Sequence, residues 1–84
     1  MDKKTKVKVT NKWYGDLATL YSIRNVEDES LDPVLLFYSN ENVPNFTRNQ
    51  EMTIAEVENT RPYKMIIFNS WYDIPNDMAM SLGF

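Results

Sequence analysis

The sequence predicts an α+β, β-rich fold, a four-stranded and mainly antiparallel sheet or small open barrel in the order β-β-β-α-β, with one short helix near residues 54–59. Three observations lead there. Two stretches, Pro33–Ser39 and Tyr63–Tyr72, are apolar at both parities of a strand, the pattern of a strand covered above and below. Residues 5–10 alternate, with Lys6, Lys8 and Thr10 facing one way and Val7 and Val9 the other. Thr53-Ile54-Ala55-Glu56 has the spacing of a capping box, the reciprocal hydrogen-bond pair that starts a helix.

Taken in order, residues 1–4 form a basic arm, expected to be flexible, and the alternating segment behind it reads as an outer strand whose lysines guard its edge. Asn11–Asp16 has the composition of a turn. Leu17–Arg24 fits a strand with Leu17, Tyr21 and Ile23 on one face better than a helix capped by Asp16, because Tyr21 and Ile23 are mediocre helix formers. Glu27–Asp32 is an acidic loop. An EF-hand count from Asp28 fails there, since Pro33 stands where glycine is required and Ser39 where glutamate is required.

Pro33–Ser39 reads as a strand with Val34, Leu36 and Tyr38 opposite Leu35 and Phe37, lying beside Tyr63–Tyr72. Asn40–Gln50 has Pro44, several asparagines and no period, hence a long loop with Phe46 tucked beneath it or displayed as an anchor. The helix runs from about Ile54 to Asn59, with Met52 and Val57 placed for a hydrophobic staple and Pro62 as the stop. Tyr63–Tyr72, the longest apolar run, is expected to be the central strand, with Tyr63, Met65, Ile67 and Trp71 opposing Ile66, Phe68, Tyr72 and Ile74. A last helical turn is expected over 75–82.

Composition narrows the chemistry. The 84 residues form a single small domain, and a chain of that size buries only about 60–65% of its unfolded surface. There is no cysteine and no histidine, so a disulfide framework, a thiolate metal site and the commonest zinc ligand and general base are all missing. No glycine-rich phosphate loop is present, and carboxylate pairs such as Asp73 and Asp77 or Glu56 and Glu58 have no distinguishing spacing. The expectation is a protein that is not an enzyme and holds no cofactor or metal. Asn45-Phe46-Thr47 matches a glycosylation triplet but reads as plain loop. No run reaches the roughly 20 apolar residues of a membrane span, so the chain is expected to be cytoplasmic. Its asparagine and lysine content suits an AT-rich coding sequence, as in phages and plasmids.

Charge is divided unevenly. Residues 1–12 carry a local charge of +4 and residues 13–84 a local charge of −7. A helix of two turns, about 9 Å long, covers only part of one face of a sheet that is apolar on both. Something further must close it, and an uncovered apolar patch commonly marks an interaction site. The functional expectation is an interaction or inhibitory protein that binds a partner protein or a second copy. Its surface would combine the aromatics Trp13, Tyr14, Phe46, Trp71 and Tyr72 with the carboxylates Glu27, Asp28, Glu29 and Asp32, which could also imitate phosphates. The alternative is a small barrel binding single-stranded nucleic acid, with bases stacked on Tyr21, Trp13 or Tyr14 and phosphates held by Lys3, Lys4, Lys6 and Lys8. The acidic body disfavours that alternative.

Overall fold

The computed structural model describes residues 2–67 and 74–81. Its strands are β1 (Lys6–Tyr14), β2 (Ala18–Asn25), β3 (Val34–Ser39), β4 (Glu51–Thr53) and β5 (Lys64–Ile67), and its helices are α1 (Ile54–Asn59) and α2 (Asn76–Ser81). They build one open sheet in the order β4-β1-β2-β3-β5, with every neighbouring pair antiparallel. The sheet is neither four-stranded nor closed into a barrel. β4 escapes sequence reading because three residues are too few to show a period.

The meander β1-β2-β3 is joined by two loops that its polar residues hold in shape. At the first, the Gly15 N–H donates to the Ala18 carbonyl at 2.9 Å. Asn40 clamps this turn from the end of β3, donating to the Gly15 and Asp16 carbonyls and accepting from the Thr19 hydroxyl at 2.7 Å. At the second, the Asn25 carboxamide accepts from the Glu27 and Asp28 N–H groups, and the Arg24 guanidinium donates to the Glu29 and Leu31 carbonyls. The turn lies at residues 15–17 rather than 11–16, because Asn11–Tyr14 continue β1.

Each face of the sheet has its own core. On one face Val7, Val9, Tyr21, Ile23, Val34, Leu36 and Tyr38 are buried under Ile54 and Val57 of α1, with Phe46 of the long loop packed against them. On the other, Leu20, Leu35 and Phe37 lie under Ile74 and Met78, at and just before α2. The long loop and the C-terminal helix therefore supply the cover that α1 alone could not. A bulge between Val9 and Asn11 transfers β1 from one core to the other: Val9 opposes Ile23, while Trp13 opposes Leu20 and packs on the second cluster. One extra residue reverses the parity of everything after it.

Two expectations about strand position are corrected. β1 is an inner strand, flanked by β4 and β2, not an outer one. β5, the described part of the Tyr63–Tyr72 run, pairs among the described residues only with β3 and there lies at the sheet margin, not at its centre. The apolar pattern reported cover on both sides only in part: half-buried Met65 packs on the first cluster and half-buried Ile66 on the second, while Tyr63 and Ile67 are exposed. It carried no information about neighbours in the plane of the sheet. Phe68, Trp71 and Tyr72 lie outside the described residues.

α1 begins as its sequence dictates. Glu56 N–H donates to the Thr53 hydroxyl and Thr53 N–H to the Glu56 carboxylate. The next two orphan donors are met from the N-terminal segment, Ile54 N–H by the Thr5 carbonyl and Ala55 N–H by the Lys3 carbonyl, each at 3.0 Å. Residues 2–5 form a turn bonded to the start of the helix, with Thr5 N–H donating to the Asp2 carbonyl. Met52 and Val57, the staple pair, are both buried.

Candidate partner-binding surface

Burial separates the candidate residues. Tyr14 is exposed, Trp13 is half-buried against the second core, and Phe46 is tucked against Tyr21 and Tyr38, with ring centroids 4.9 and 6.1 Å away. Phe46 is held there because the Tyr21 hydroxyl donates to the Pro44 carbonyl at 2.8 Å and accepts from the Phe46 N–H. It serves as loop packing and not as a displayed anchor. Trp71 and Tyr72 lie outside the described residues.

The acidic loop is exposed throughout, at Glu27, Asp28, Glu29 and Asp32. Glu29 is already engaged: its carboxylate accepts from Lys8 at 2.7 Å, and that hydrogen bond and charge, with a smaller contribution from Arg24, hold its pKa below the ordinary carboxylate value. Among the described residues no cluster of carboxylates could hold a metal ion. Of the carboxylate pairs, Glu56 is the capping-box partner of Thr53, Glu58 faces Lys3 at 3.6 Å and Asp73 is outside the described residues.

The residues of the nucleic-acid alternative occupy unlike settings. Tyr21 is fully buried and offers no face to a base. Lys3 faces Glu58, Lys8 is paired with Glu29, and Lys6 lies in a depression shared with Glu51 and Glu56. Only Lys4 of the four is exposed with no carboxylate against it among the described residues. A chain of phosphates meeting these lysines would meet Glu29, Glu51, Glu56 and Glu58 as well.

Periodicity missed a different surface. Leu17 in the β1–β2 turn and Tyr63 just before β5 are each 71% exposed. They flank a groove of about 180 Å³ with Ala18 and Phe37 in its lining and Met78 and Asp77 of α2 on its far side. Ile67 on the marginal strand and Met80 on α2 are exposed as well. Tyr63 is held in place by its N–H, which donates to the Phe37 carbonyl at 2.7 Å. Nothing in the spacing of Leu17 or Tyr63 distinguishes them from core residues; their exposure follows from where the sheet ends.

No protein-family model, curated protein or solved structure matches this chain. No described helix is long and apolar enough to cross a membrane.

Proposed function

We propose that this is a small non-enzymatic interaction module that binds a partner protein, with Leu17 and Tyr63 as anchors. The observation that supports it best is the pairing of two exposed large apolar side chains across a groove lined by Phe37 and Met78. Large side chains displayed at the rim of an apolar groove are the usual material of interface hot spots. β5 adds a second feature, since among the described residues it has a strand neighbour on one side only. An extended segment of a partner can add there as a further strand while its apolar side chains enter the groove. The net charge of −3 favours a basic partner.

The test is affinity capture from native lysate together with the solution mass, using the parent chain and a Leu17→Ala, Tyr63→Ala double variant. The parent should retain a partner or self-associate, and the variant should lose at least ten-fold in retention, about 1.4 kcal/mol or more. A parent that is strictly monomeric and retains nothing, or a variant that retains the same partner equally well, would refute the reading. Both side chains are exposed, so the variant should remain folded.

A further inference from the structure

A second depression, of about 300 Å³, lies on the first face beside the β1 bulge. It is lined by Asn11 and Lys12 of β1 and by Phe46 and Arg48 of the long loop, and no carboxylate contributes to its lining. In a chain of net charge −3 that is unusual company. Among the described residues neither Lys12 nor Arg48 has an ion-pair partner, whereas Lys3 and Lys8 do.

Both cations are on fixed backbone. Lys12 follows the bulge in strand register with Tyr21, and its ammonium rests 5.5 and 5.6 Å from the ring centroids of Tyr14 and Tyr21. Arg48 belongs to a turn in which Thr47 N–H donates to the Gln50 side chain and Gln50 N–H to the Thr47 carbonyl. Asn49, at φ 66°, docks that turn on β1 through its N–H to the Val9 carbonyl at 2.8 Å.

We propose that this depression binds a phosphomonoester carried on a planar apolar body, of the class of a nucleoside 5′-monophosphate. Arg48 and Lys12 hold the phosphate, and Phe46 supplies the apolar wall beside the planar group. Two positive charges match the charge of about −1.5 to −2 on a phosphomonoester at neutral pH better than the single charge of a carboxylate. The planar guanidinium suits two phosphate oxygens at once, and the ammonium adds a point charge. The volume lies at the lower end of small-ligand pockets, which are about 300–1,000 Å³. The site is separate from the groove at Leu17 and Tyr63, so neither reading rests on the other.

The test is an amide NMR titration of the full chain at low salt with adenosine 5′-monophosphate, adenosine and inorganic phosphate, repeated with Lys12→Gln and Arg48→Gln. Saturable shifts centred on residues 10–12 and 46–49 with the monophosphate are expected, and each substitution should weaken them by about ten-fold. A 5′-phosphorylated dinucleotide that binds the same residues more tightly would identify a strand end as the source of the phosphate; a weaker one would identify the free nucleotide. Absence of saturation at millimolar monophosphate, equal affinity for inorganic phosphate or adenosine, or indifference to both substitutions would overturn the proposal. Lys12 and Arg48 are exposed, and an unchanged thermal midpoint in each variant excludes loss of fold as the cause.

Discussion

At Arg61 the backbone takes φ 54°, a left-handed conformation that costs a residue with a Cβ about 1–2 kcal/mol. Arg61 follows Thr60, the C-cap of α1, and precedes Pro62, which cannot donate a closing hydrogen bond. Arg61→Gly should therefore stabilise the chain by up to about 1 kcal/mol in urea denaturation; a loss of stability would mean that the Arg61 side chain contributes more than its backbone costs. Tyr38 sets a second test at this scale. Burial raises the pKa of its phenol above the ordinary value of about 10, partly opposed by its hydrogen bond with the Thr60 hydroxyl at 2.7 Å. A folded-state value above the unfolded one means that the contribution is fully present below about pH 10 and is lost as the pH rises through the folded value. Relative to a Tyr38→Phe variant, the parent should lose stability progressively above that pH, and parallel pH profiles would contradict this.

At the scale of elements, α1 and β4 act as one unit. Thr53 closes β4, opposite Lys6 in the ladder, and caps α1 through the pair with Glu56. Thr53→Ala should cost about 1 kcal/mol, measured as a lowered denaturant midpoint with an unchanged slope. The cap was legible in the sequence because its partners are three residues apart and any backbone will bring them together. The fastening of residues 2–5 to the same helix end was not, because the donors at Ile54 and Ala55 are met by backbone carbonyls, which every residue possesses. The long loop follows the same division. Its irregularity was plain from Pro44 and its asparagines, whereas the Tyr21 hydroxyl that fixes Pro44 and Phe46 lies more than twenty residues away in sequence. The depression between Lys12 and Arg48 exists only because this loop docks on the bulge.

For the whole molecule, position in the sheet should govern local stability. β2 is fully flanked and has a run of buried residues from Thr19 to Ile23, while β4 and β5 are margins of three and four residues. Native-state hydrogen exchange should be slowest in β2 and fastest, among the strands, in β4 and β5. Slow exchange across Lys64–Ile67 would instead show that the margin is covered in solution by another strand. The same distinction separates what the residues declared from what assembly decided. Side-chain parity alone determined that β3 is sandwiched between two apolar layers and that Val7 and Val9 face a core, and the Thr53–Glu56 spacing that a helix starts at Thr53. Which strand stands beside which, the change of face at the β1 bulge, the use of α2 and the long loop as covers, and hence the exposure of Leu17 and Tyr63, belong to the tertiary structure alone. The physical reason is that layers above and below a sheet meet it through side chains, which differ from residue to residue. Neighbours within the sheet meet through the backbone, which does not.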